Sequence, residues 1–138
     1  MKKNVLILSR ILLVLYLICL GILCFGNFSG MPEMEKKILG FDPDKVVHFL
    51  MFFPFPILAW LALGRRPSGP WPALGLTLLL FLIGCALAAC TEIVQQFLSW
   101  RSADPRDFSA DALALALSAL IVFIKMLVTG IRSARTGR

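Results

Sequence analysis

Residues Ala73–Leu98 read ALGLTLLLFLIGCALAACTEIVQQFL, and this stretch decides the fold. It carries a single ionisable side chain, Glu92, in a run longer than the roughly 20 apolar residues that cross about 30 Å of hydrocarbon. Backbone polar groups facing lipid have no water to bond, so the run reads as one transmembrane helix. Trp71 and Trp100 bracket it as interfacial belt residues. At about 1.5 Å per residue they stand roughly 43 Å apart, one membrane interface to the other. Three further stretches read the same way: residues 5–25, interrupted by Ser9 and Arg10, then 46–64, then 106–129.

The composition agrees. Of 138 residues, 59% are hydrophobic and 16% charged, with a mean hydropathy of +0.85. Soluble domains lie nearer about 45–50% apolar and about 25% charged. A water-soluble globule is excluded, and so is disorder, which needs the opposite bias. The reading is an all-α integral membrane domain of four helices spanning residues 1–138, with one long connection at 26–43. Pro32–Leu39 within that connection reads either as a surface helix or as a solvated loop.

Local signals mark the helix ends. Asp42-Pro43 and Asp104-Pro105 each combine an N-cap with proline at the first helical position. Gly64 precedes the polar turn Arg65-Arg66-Pro67-Ser68-Gly69-Pro70, and Gly130 reads as the C-cap of the fourth helix. Pro54 and Pro56 predict a kink in the second. Lys2 and Lys3 before an apolar run resemble a secretory signal, but no small-x-small cleavage site follows, so an uncleaved first helix is expected.

The net charge of +6 would suggest nucleic acid in a soluble protein. Here the charges sit at segment ends, no nucleic-acid-reading motif occurs, and the basic tail of Arg132, Arg135 and Arg138 lacks interleaved aromatics. The charges report topology instead. With both termini inside, nine Lys and Arg are cytoplasmic, and the other five fall outside together with all eight acids. The positive-inside rule therefore predicts cytoplasmic termini in a cell membrane, either plasma or inner.

Ionisable groups within a span are expensive and mark sites by default. Here they gather at three helix ends, all on the predicted outer side. Asp44, Lys45 and His48 begin the second helix at spacings that share a face. Glu92, Gln95 and Gln96 share a face near the end of the third, with Glu92 about 12 Å below Trp100 by helical rise. Asp104, Asp107 and Asp111 form a stripe opening the fourth, after Arg101. Lys45 and Arg101 are the natural counter-ions of Glu92, Asp107 and Asp111, and Glu92 must be either paired or neutral. Asp104 reads as a cap, and Asp107 as its capping-box partner or the counter-ion of Arg101.

Asp44-Lys45-x-x-His48, then Glu92-x-x-Gln95, then Arg101 with Asp107 six on and Asp111 ten on, together resemble the VanZ-like membrane proteins. The likeness runs from about residue 44 to 122. Ala114 stands where that family commonly has glycine. The resemblance implies a multi-pass envelope protein of the kind that lowers susceptibility to teicoplanin. It brings no agreed reaction with it. Teicoplanin bears an acyl chain that vancomycin lacks, which suits an action at the outer leaflet.

The expected binding set is Asp44, Lys45, His48, Glu92, Gln95, Arg101, Asp107 and Asp111. Its partners would be membrane lipids and a lipidated glycopeptide or lipid-linked envelope precursor. Binding or shielding is favoured over catalysis. If a reaction occurs, Glu92 and His48 are the acid–base candidates, since Ser102 and Thr91 have no support as nucleophiles. A structural cluster in a small scaffold and a proton-coupled carrier are the other readings. The donor types of His48, Glu92, Asp107 and Asp111 suit a divalent ion, but no HExxH or CxxC accompanies them, so neither metal nor cofactor is expected. Cys19, Cys24, Cys85 and Cys90 read as packing or lipid-side residues, and Phe49, Phe52, Phe53 and Phe55 as bulk facing the bilayer.

Overall fold

The structure is a computed structural model. It describes residues 3–27, 42–65, 67, 69–100 and 105–135, the side chains of 105 and 132–135 excepted. The described residues are helical, with short turns and no strand. Five helices make four spans: α1 (Lys3–Phe25), α2 (Pro43–Phe52) with α3 (Pro54–Leu63), α4 (Pro70–Gln95) and α5 (Pro105–Arg135). Each of the four is long and apolar enough to cross a membrane, which makes this a multi-pass membrane protein.

The second span is broken where its prolines predict. Pro54 and Pro56 have no N–H, so the carbonyls of Leu50 and Phe52 lose their partners one turn on. Phe53 keeps helical dihedrals, and its N–H still reaches the Phe49 carbonyl at 3.1 Å, so the chain does not unwind at the break. The Tyr16 hydroxyl donates to the neighbouring Met51 carbonyl at 2.6 Å, tying α1 to the break.

Gly64 ends α3 in the left-handed region, at φ 65°, as its position before the polar turn suggests. The exposed α3 carbonyl end is also bonded from α1: Arg10 Nε donates to the Ala62 carbonyl at 3.2 Å. A cation at a helix C-terminus is favoured by the helix dipole, which explains an arginine inside an apolar span. At the other end of α1, Gln95 Nε2 donates to the Cys24 carbonyl at 3.0 Å and Trp100 Nε1 to the Phe25 carbonyl at 3.4 Å. These pairings fix an up-down-up-down bundle: α1 ends where α4 ends, and α2 begins where α5 begins.

The core lies between α4, α5 and the α2–α3 span, with α1 leaning on α3 and more lightly on α4. Gly84 leaves room for the side chains opposite it. A methyl group there would come within 2.5 Å of Leu115 Cδ2 and 3.1 Å of Phe55 Cδ1. Close helix contact in membranes depends on such small residues, because lipid offers no hydrophobic drive for association. Ala114, which is fully buried, takes up the other small position on α5.

Four expectations change. Phe52 and Phe55 are buried in the core rather than facing lipid; Phe49 packs against it and stacks on Phe53 with ring centroids 5.8 Å apart. Gly130 does not end the fourth helix, which continues to Arg135. The third span runs Pro70–Gln95 rather than 73–98, and residues 96–100 turn instead. Asp42 occupies the N-cap position of α2 without a side-chain cap bond and instead accepts from Lys45 Nζ at 2.7 Å. The 32–39 segment lies outside the described residues.

Candidate functional site

Among the described residues, one end of the bundle gathers the histidine and the carboxylates that the spans contain. His48 stands one and a half turns into α2, Glu92 one turn before the end of α4, and Asp107 and Asp111 on the first two turns of α5. All four are buried, with Asp111 wholly so. Helical periodicity delivers each group: Asp107 and Asp111 are four residues apart and project from one stripe, and His48 follows Asp44 by the same interval. The lengths of α4 and α5, anchored by the Gly84 contact, bring the three elements level.

His48 is the centre. Its Nδ1 lies 3.2 Å from Asp111 Oδ1 and 3.4 Å from Oδ2, a hydrogen bond shared between the two carboxylate oxygens. The same nitrogen is 3.9 Å from Glu92 Oε1. On the opposite edge of the ring, Nε2 is 3.9 Å from Asp107 Oδ2. Three carboxylates from two helices therefore surround one imidazole from a third. Glu92 Oε1 is buried and has no hydrogen-bond donor. Such atoms are rare in buried regions, and each calls for an explanation.

Two overlapping groups have metal-ligand character: His48, Glu92 and Asp111, all buried, and Asp44, His48 and Asp107, in which Asp44 is exposed. Within each, one donor atom per residue lies within 4.8 Å of the others. The sequence offers no metal signature for either, because the donors come from three helices in the first group and two in the second, and the pairing of those helices is tertiary.

Of the eight residues expected to form the site, the structure brings together His48, Glu92, Asp107 and Asp111, with Asp44 at the rim. Lys45 is partly exposed and bonded to Asp42. Gln95 is buried but points at α1, where it bonds the Cys24 carbonyl, so its role is to hold helices together. Gln96 is exposed and separates from the face it was expected to share. Thr91 donates its hydroxyl to the Ala88 carbonyl at 2.7 Å, which commits the proton that a general base would have to remove. Arg101, Ser102 and Asp104 lie outside the described residues. Both partners expected for Asp107, Arg101 and Asp104, are among these; its Oδ2 lies 3.9 Å from His48 Nε2. None of the four cysteines is in a disulfide; Cys24 is buried in the core, while Cys19 and Cys90 are exposed on the apolar surface.

Comparison with protein-family models, with curated proteins and with solved structures found no match.

Proposed function

We propose that this chain is a VanZ-like membrane protein that works at the extracytoplasmic face, binding or shielding an amphiphile. In this reading the carboxylate–histidine cluster holds the polar part of a teicoplanin-type lipoglycopeptide or a lipid-linked envelope precursor. The acyl part runs along the apolar helices, and susceptibility to the drug falls. Support for the orientation is the distribution of Lys and Arg, nine against five in favour of cytoplasmic termini. Lys45, partly exposed beside the cluster, and Arg101 supply the cationic contacts to an anionic head.

The observation that carries the reading is the convergence of His48, Glu92, Asp107 and Asp111 from three helices at one end of the bundle. Gln95, from the same helix, is taken up by the Cys24 carbonyl of α1. Glu92 Oε1 is buried without a donor and so stays open to a ligand. Expression in a susceptible host tests the reading. Selective protection against teicoplanin, with none against vancomycin, is the predicted outcome. Protection against neither drug removes the resistance assignment.

A second reading draws on the His48–Asp111 contact. An imidazole held by one carboxylate and facing another can move protons on a bound lipid, with Glu92 as acid or base. An enzyme of this kind leaves a chemically altered lipid in membrane extracts, whereas a shield leaves none.

A further inference from the structure

We propose that His48 Nδ1, Glu92 and Asp111 together bind one divalent first-row cation, Zn²⁺ or Mn²⁺. The inference uses side chains of the cluster described above and holds whichever amphiphile the protein takes.

The first argument is geometric. Metal–ligand lengths of about 2.0–2.2 Å place two ligands of one tetrahedral ion roughly 3.4 Å apart. Here Nδ1 is 3.2 Å from Asp111 Oδ1 and 3.9 Å from Glu92 Oε1, and the three donors lie within 4.8 Å of one another. A cation draws Glu92 Oε1 in by about 0.5 Å towards Nδ1 and by at most about 1.4 Å towards Asp111, within reach of a side chain that ends in a flexible carboxylate.

The second argument is the unmatched atom. Glu92 is 8% exposed, and its Oε1 faces the imidazole with no donor to receive. A cation between Glu92, Asp111 and Nδ1 gives that oxygen its partner. It also neutralises two carboxylates buried side by side, an arrangement that low-polarity surroundings otherwise penalise.

The third argument lies on the far edge of the ring. Metal-bound histidines almost always donate their other N–H to a carboxylate or carbonyl, which fixes the tautomer. Asp107 Oδ2 stands 3.9 Å from Nε2, on the correct side for that role. With Nε2–H directed to Asp107, the Nδ1 lone pair faces Glu92 and Asp111. Asp107 is then a positioning residue rather than a ligand. One imidazole with two carboxylates favours Zn²⁺ or Mn²⁺ over Mg²⁺ and Ca²⁺, which prefer all-oxygen shells.

The test uses the full chain, purified in detergent through a tag without histidines, stripped with a chelator and dialysed against Zn²⁺ or Mn²⁺ separately. Metal content is then read by plasma mass spectrometry. Wild type is expected to retain about one cation per chain. Glu92→Gln and Asp111→Asn are expected to lose it. Asp107→Asn is expected to weaken affinity about 10–100-fold without abolishing binding. Substoichiometric metal in wild type overturns the proposal, and so do Glu92→Gln and Asp111→Asn proteins that bind as wild type does. Titration of wild type with Co²⁺ needs no variant: visible d–d bands that Zn²⁺ displaces support the site, and their absence overturns it. A chain that binds the cation but leaves teicoplanin susceptibility unchanged keeps this inference and removes the reading above. A chain that protects without binding metal does the reverse.

Discussion

His48 and Asp111 are 63 positions apart in sequence and 3.2 Å apart in space, with the imidazole Nδ1 against the carboxylate Oδ1 of a wholly buried side chain. This contact joins the start of α2 to the second turn of α5. It requires the second and fourth spans to run in the same direction.

Removing either partner strands the other in a buried site. His48→Ala and Asp111→Ala are each expected to destabilise the protein by about 1–3 kcal/mol. The double variant should cost less than the two together, by about 0.5–3 kcal/mol. Denaturant unfolding in mixed micelles measures all three. Strictly additive losses would mean that the two groups do not interact.

Gly84 lies directly under the side chains of Leu115 and Phe55. Gly84→Ala is expected to cost about 1–3 kcal/mol through overpacking. The nearest atoms are the ends of the Leu115 side chain, so Leu115→Val should recover much of that loss. A shift in thermal unfolding of the single variant, partly reversed in the double, is the expected pattern.

The Tyr16 hydroxyl reaches the Met51 carbonyl beside the Pro54 break. Tyr16→Phe removes this bond with little change of shape, at an expected cost of about 1 kcal/mol. Amide exchange around Met51 should rise in the variant. Unchanged exchange there would show that the bond does not hold α1 to the break.

The proposed orientation has both termini in the cytoplasm. A carboxyl-terminal green fluorescent protein fusion is expected to fluoresce, and the matching alkaline phosphatase fusion to be inactive. The opposite pair of results would place the carboxylate–histidine cluster on the cytoplasmic side.

The spans were legible because the bilayer imposes its thickness on the sequence. Their ends were less so. Hydropathy marks the hydrocarbon-crossing part, while α5 continues through Gly130 to Arg135 where lipid tails no longer matter. The Phe residues of the second span show a different limit. Lipid and protein interior are equally apolar, so nothing in the composition distinguishes Phe52, fully buried, from Leu50, which faces out. Within the site, helical spacing grouped Asp107 with Asp111 and set Glu92 apart as a costly charge. It could not tell that Gln95 turns towards Cys24 while Glu92 turns towards His48, because that depends on which neighbours α4 acquires. Nor did it single out Gly84, whose role appears only when Leu115 lies opposite.

The central claim is that the buried carboxylate–histidine cluster is the working site and not merely packing. Teicoplanin susceptibility of cells carrying Glu92→Gln, at membrane levels matched to wild type, tests it most directly. Glutamine keeps the size and hydrogen-bonding reach of the side chain but loses its charge. The account predicts that wild type protects and Glu92→Gln does not. Equal protection by the two proteins would contradict it.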